Sequence, residues 1–274
     1  MTPPRAARRA AGSAPSVTPV EPGTPGSWWR RRWRGRPGRL EVWYATATDA
    51  ATGTGLWVHG ETVAPTDGGP ARSLGWAALF PPDAPPVWAR APGGPAPDPG
   101  AEPAEVFESE GIRIGPDGSS GSAGDLRWRL DWDASTQVGL ATFPRWAWDR
   151  QLLPAAQVVP APDLRVRGEI GVGGRVRSFD GHGQAARIYG HGNARRWAWL
   201  HADLGDGDLV ELVSAVSTRP GLRAAPPVTF LALRIGGTDW PKVPVAAFGL
   251  RARLGLPEWT ARGRVRGATI DLRV

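Results

Sequence analysis

Apolar and polar residues alternate strictly through "DLRWRLDWD" at 125–133. Leu126, Trp128, Leu130 and Trp132 fall on one face and Arg127, Arg129, Asp131 and Asp133 on the other, the period-two pattern of a half-buried strand. "RLEVWYATATD" and "GLWVHGETVAP" are two further β-rich runs, and the turn-forming 50–55 between them predicts a hairpin. "SLGWAALF" at 73–80 predicts another strand, followed by a proline-rich loop from Pro81 to about Pro103. A short helical turn is expected around Trp146 to Leu153, and "LLPAAQVVPAPD" at 152–163 has the composition of a linker. Strand patterns then continue to the C-terminus, from "LRVRGEIGV" to "ATIDLRV", with no helix of convincing length. Many short strands separated by polar turns predict an all-β chain of sandwiches or barrels. Gly171, Gly173 and Gly174 have the wrong spacing for a dinucleotide fingerprint and suit a hairpin turn instead.

With 274 residues, the chain has room for two domains of ordinary size. The boundaries expected are a disordered tail at 1–38, a first β domain at 39–155 and a second at 156–274. A hydrophobic content of 41% with 22% charged residues suits a globular protein, and 37 Gly with 29 Pro imply many turns. The net charge of +7 is concentrated in the tail: residues 1–40 hold nine arginines against Glu21, and the remainder holds 24 basic and 25 acidic groups. The near-neutral folded part argues against specific nucleic-acid binding. The tail, Trp28 to Arg34 above all, is a candidate for weak contact with phosphates or an anionic membrane surface. Thirty-two Arg against the single Lys242, with abundant Ala, Gly and Pro, match a GC-rich coding sequence, so the basic isoelectric point says little about partners. No cysteine is present, which excludes disulfides and thiolate chemistry. Neither a signal-peptide pattern nor an 18-residue apolar run occurs; a cytoplasmic location is expected, and the sequence does not speak to oligomeric state.

Against this background one stretch stands out. "YGHGNARRWAWLHAD" at 189–203 gathers Tyr189, His191, Asn193, Trp197, Trp199, His201 and Asp203 in a chain with four His, two Tyr and one Asn. Alternation puts Trp197, Trp199, His201 and Asp203 on one strand face and Ala198, Leu200, Ala202 and Leu204 on the other, so both faces are expected to be covered. The aromatic face is the natural lining of a barrel lumen. Trp57-Val58-His59-Gly60-Glu61 repeats the pattern of Trp199-Leu200-His201-Ala202-Asp203, which suggests two related β units with corresponding walls. A His beside a carboxylate in a Trp-lined pocket can move protons near neutral pH, or simply hydrogen-bond a guest. A metal centre from His182, His191, His201 and Asp203 lacks the close pairing of common sites, and no metal is expected. Ordinary core packing of the Trp and His residues, and carbohydrate stacking, are the competing readings.

"IYGHGNARRWAWLHAD" resembles the second-half signature of the tocopherol cyclase and carotenoid 1,2-hydratase-like proteins, including the AttH-like group. "LEVWYATATDAATGTGLWVHGE" is similar to their first-half opening. The resemblance covers about 40–270 in layout and implies two lipocalin-like antiparallel β domains packed together, with no required cofactor. In some members it implies proton-initiated hydration or cyclisation of isoprenoids. The usual Asn-Trp-Gly element appears here as Asn193-Ala194-Arg195. By position the resemblance carries over Tyr189, His191, Asn193, Trp197, Trp199 and His201. The expected protein is thus a cofactor-independent hydratase (a carbon–oxygen lyase), cyclase or isomerase for a hydrophobic small molecule, an isoprenoid among the candidates. His201, Asp203 and His191 would transfer protons, and Tyr189, Asn193, Trp197, Trp199, Trp57, His59 and Glu61 would bind the ligand. The alternative is a non-catalytic lipid-binding protein with the same cavity.

Overall fold

The computed structural model describes residues 28–150, 155–191, 194–218 and 223–274. The first half consists of β1 (Leu40–Asp49), β2 (Gly55–Val63), β3 (Arg72–Phe80), β4 (Val87–Arg90), β5 (Gly94–Pro95), β6 (Phe107–Ser109), β7 (Ile112–Gly115), β8 (Gly118–Ala123) and β9 (Leu126–Asp131). Helix α1 (Arg145–Arg150) precedes the long strands β10 (Ala155–Val172) and β11 (Arg175–Gly190). These eleven strands form one antiparallel sheet in the order β4-β3-β2-β1-β11-β10-β9-β8-β7-β6, with β5 paired to β3. After it come β12 (Arg196–Gly205), β13 (Asp208–Val216), β14 (Val228–Ile235) and β15 (Thr238–Trp240), a four-stranded sheet. A 3-10 turn at Pro244–Gly249 leads to β16 (Arg251–Arg253), β17 (Thr260–Val265) and β18 (Ala268–Arg273), a three-stranded sheet. The chain is all-β, as its alternation predicts, and among the described residues no helix is long and apolar enough to cross a membrane.

The large sheet curls over itself. Gly60 of β2 and Gly75 of β3 are register partners, and a Cβ on either would meet Phe107 or Ile112 at 2.3 Å, so glycine is what lets β6 and β7 close over β2 and β3. The inside is filled by Trp43, Leu56, Val58, Trp128, Leu130 and their neighbours. Strand β9 behaves as its sequence requires, with Leu126, Trp128 and Leu130 buried and Arg127, Arg129 and Asp131 exposed. The second and third sheets enclose a separate core that includes Leu212, Leu231, Leu250, Trp259 and Ala261. A third cluster joins the two parts: Leu40, Val42, Tyr44, Val159 and Ala186 of the large sheet meet Leu209 and Ala232 of the second.

Three expectations require correction. The segment 155–163 is not a linker but the start of β10; its prolines are absorbed where register shifts interrupt the pairing with β11 on either side of Ala161. The division expected at 155/156 consequently falls at the edge of a strand of the large sheet, and the change of sheet comes between Gly190 and Arg196. The tail also ends earlier than 38. The disorder expected of 1–27 concerns residues outside those described, but Trp28, Trp29 and Trp33 are buried, so in 28–34 the rings that would meet a membrane are committed to the core.

What ties down 28–33 is a buried ion pair. Arg187 of β11 and Glu41 of β1 are both fully enclosed and bonded to each other through Nη2 and Oε1. The Glu41 carboxylate also accepts from the backbone N–H groups of Arg32 (2.8 Å) and Trp33 (2.7 Å), and Arg187 donates to the carbonyls of Trp28 and Arg30. Its guanidinium lies 3.7 Å from the centroid of the Trp43 ring. Burial pulls Arg187 down to about 10 against the raising pull of Glu41, which leaves it cationic at neutral pH. Because so many acceptors are satisfied by one cation, its removal strands a buried carboxylate. Arg187→Met is expected to cost about 3–5 kcal/mol in urea-unfolding free energy, and a loss below about 1 kcal/mol would contradict this role.

Candidate functional site

Strand β2 turns Leu56, Val58 and Gly60 inward and leaves Trp57, His59 and Glu61 on its outer face. Register places Tyr44 of β1 and Trp76 of β3 on either side of His59, so Tyr44, His59 and Trp76 form a row across three strands. Strand β12 likewise sends Ala198, Leu200 and Ala202 into the second core and shows Trp197 and Trp199 to the large sheet. Trp57 and Trp199 meet with ring centroids 5.5 Å apart, and Tyr44 lies edge-on to Trp199 at 5.8 Å. The two W-x-H strands are therefore opposing walls of one cavity.

That cavity, about 360 Å³, is lined by Val42, Tyr44, Trp57, His59, Glu61, Trp76, Phe143, Gln157, Ile188, Trp197, Trp199, Val213 and a few alanines. It lies between the sheets and not in the lumen expected from the strand pattern, since the lumen is already filled by Trp43, Trp128 and the other core side chains. Nor is β12 covered on both faces: Trp197 is 53% exposed and its neighbours are partly buried.

Two His–Glu pairs mark the site. His59 stacks on Trp76 with centroids 4.9 Å apart and planes at 10°, and its Nε2 lies 3.4 Å from Glu61 Oε2. With Nε2–H directed at Glu61, Nδ1 is buried without a partner, as is the Trp57 Nε1–H. The second pair is His201 with Glu211, cross-strand neighbours on β12 and β13. His201 Nδ1–H donates to Glu211 Oε2 at 3.0 Å, while Oε1 accepts from Trp199 Nε1 at 2.6 Å and Gln157 Nε2 at 2.7 Å. Glu211 is completely buried. Gln157 gives its other hydrogen to the Tyr44 hydroxyl at 2.7 Å. Burial, reinforced by the Glu211 charge, holds the Tyr44 phenol well above the ordinary tyrosine value, so it is a neutral O–H donor.

The remaining sequence candidates are distributed around this site. His201 borders a second groove of about 550 Å³ together with Asp163, His182 and Asp203. Asp203 lies beside His182 (4.0 Å), and the carboxylate bonded to His201 is that of Glu211. Asp163, His182 and Asp203 bring potential ligand atoms within 4.8 Å of one another. Arg165, however, can only donate, and it occupies His182 Nε2 at 3.1 Å; the proton then sits on Nδ1, the atom facing the two aspartates, and the set does not suit a cation. Tyr189 is buried with Trp148 and Ala156 and beneath Arg39, outside the cavity lining. His191 is exposed at the end of β11, and Asn193 lies outside the described residues. Trp76, Gln157 and Glu211 carry no sequence motif. Glu211, a lone acid inside the apolar run "LVELVSAV", is the one whose pattern signals a buried polar role.

No family model matches the sequence. The uncharacterized proteins MT0513 and Rv0493c of Mycobacterium tuberculosis, strains CDC 1551 / Oshkosh and ATCC 25618 / H37Rv, are each 51% identical to it over 245 residues, covering 89% of this chain and 73% of theirs. The chain belongs to their family. Among solved structures, the fold of this chain is shared by the AttH-like protein NE1406 of Nitrosomonas europaea (TM-score 0.60, 16% identity, 82% of this chain and 76% of that one). CghA gives a TM-score of 0.59 at 14% identity (93% and 81%), and kievitone hydratase of Nectria haematococca 0.53 at 10% (85% and 76%). The fold is thereby lipocalin-like.

The shift on Tyr44 gives a direct pH test. Folding favours the neutral phenol, so the associated stability is whole below the ordinary value of about 10 and is lost as pH rises toward the higher folded value. Tyr189 is raised in the same sense by burial. Spectrophotometric titration is expected to show Tyr44 forming no phenolate until well above that ordinary value and Tyr189 titrating later than a free tyrosine; a phenolate band from both tyrosines at about pH 10 in folded protein would contradict the buried placement of Tyr44.

Proposed function

We propose that the protein is a cofactor-independent hydratase, cyclase or isomerase that takes a hydrophobic small molecule, isoprenoids included, into the cavity between Trp57, Trp76, Trp197 and Trp199. The observation that carries this reading is the placing of the His59–Glu61 pair on the wall of a mainly apolar, aromatic cavity. Such a cavity favours an apolar guest by burying its surface, and a polar pair within it is strengthened by the exclusion of water. Trp rings also offer their faces to positive charge developing on an alkene carbon. In this reading His59 exchanges a proton with the ligand and Glu61 orients the ring, a role the sequence had assigned to His201, Asp203 and His191. His201 and Glu211 hold Trp199 and Gln157 in place behind the wall. The shared fold with a protein named as a hydratase supports the class of chemistry, and CghA has been solved with the compound Sch210972.

The test combines retention and turnover. Native mass spectrometry of the purified chain is expected to show an apolar small molecule that is lost on denaturation, and turnover of isoprenoid alkenes is expected to fall about 10²–10⁴-fold in His59→Gln while binding changes by a few-fold at most. A retained lipid with no change to any alkene would favour the non-catalytic binding protein instead.

A further inference from the structure

Resting on the cavity reading above, we infer that the site takes a carbonyl compound and enolises it, with Tyr44 and Trp57 holding the oxygen and His59 Nδ1 moving the proton. The inference comes from counting hydrogens at the cavity wall. Gln157 Nε2 spends both of its hydrogens, one on Tyr44 Oη and one on Glu211 Oε1, so Tyr44 accepts there and keeps its own hydrogen to give. Among the described residues nothing accepts it. Trp57 Nε1–H is likewise buried without an acceptor, and its ring centroid lies 6.0 Å from that of Tyr44. Buried donors left unpaired are costly, and such groups in a native protein call for a partner. Two idle donors beside one idle imidazole nitrogen match a single ligand feature, an oxygen acceptor with an acidic C–H next to it.

The reaction balances within the ligand and these side chains. His59 Nδ1 takes the proton from the carbon adjacent to the carbonyl, the C–H electron pair becomes the enolate C=C, and the carbonyl π pair moves onto oxygen. The O–H of Tyr44 and the N–H of Trp57 hold that oxygen, and Glu61 faces the imidazolium through Nε2–H. Return of the proton to the same carbon, or to the far end of a conjugated system, restores the carbonyl and leaves His59 neutral. No oxidant or reductant enters. A β,γ-unsaturated ketone would thereby be isomerised to its conjugated form, the same polarised alkene to which water adds.

Geranylacetone in D₂O tests this by NMR. Wild-type protein is expected to speed deuterium incorporation next to the carbonyl by about a hundredfold or more over buffer. His59→Asn should abolish the acceleration and Tyr44→Phe should reduce it about 10²–10³-fold. The carbonyl ¹³C resonance of the ketone bound to wild type should also move downfield, a reading that needs no variant to fold. If the ketone binds without faster exchange and without that shift, the enolisation inference is overturned while the apolar cavity stands. If neither geranylacetone nor the hydrocarbon of the same skeleton binds, the cavity reading falls with it.

Discussion

The carboxylate of Glu211 has no contact with solvent, yet three N–H donors from two strands of different sheets converge on it. Gln157 reaches it from β10, and Trp199 and His201 from β12. A charge so deeply buried is tolerated only if its lone pairs are filled, and here filling them requires the large sheet and the second sheet to meet in one register. Gln157 passes the constraint on to Tyr44, so a single acid sets the spacing of β1, β10, β12 and β13 around the cavity. The apolar contacts of Leu40, Val42 and Ala186 with Leu209 and Ala232 supply attraction between the sheets, but attraction of that kind is non-directional. The hub at Glu211 adds direction.

The cavity follows from strand alternation once each strand's inner face is assigned. Leu56 and Val58 are needed inside the first sheet and Leu200 and Ala202 inside the second, so Trp57 and His59 on one strand and Trp199 and His201 on the other must point outward and toward each other. Neither barrel nor sandwich encloses the cavity. Two outward aromatic faces do, closed by Phe143 and Trp197.

Much of this was legible in the sequence. The alternation of 125–133, the hairpin of 40–63 and the matching W-x-H strands each encode a local period that packing does not overrule. The N-terminal Trp28, Trp29 and Trp33 were misjudged because a basic, aperiodic segment resembles a solvated tail until its partners Arg187 and Glu41, about 150 residues apart, are known. Segment 155–163 hid its strand behind prolines that register shifts accommodate. Glu211, Gln157 and Trp76 were invisible as site residues for a related reason: each acts through a neighbour supplied by another strand, and no spacing along the chain records that.

The central claim is that the two aromatic faces and the Glu211 hub together enclose a space for an apolar molecule. A crystal structure of the chain grown with an apolar isoprenoid ketone tests it most directly. The account predicts ligand density bounded by Trp57, Trp76, Trp197 and Trp199, with Glu211 within hydrogen-bond distance of Gln157, Trp199 and His201. Density absent from that space, with those rings facing bulk solvent and Glu211 turned away from Gln157, would contradict it.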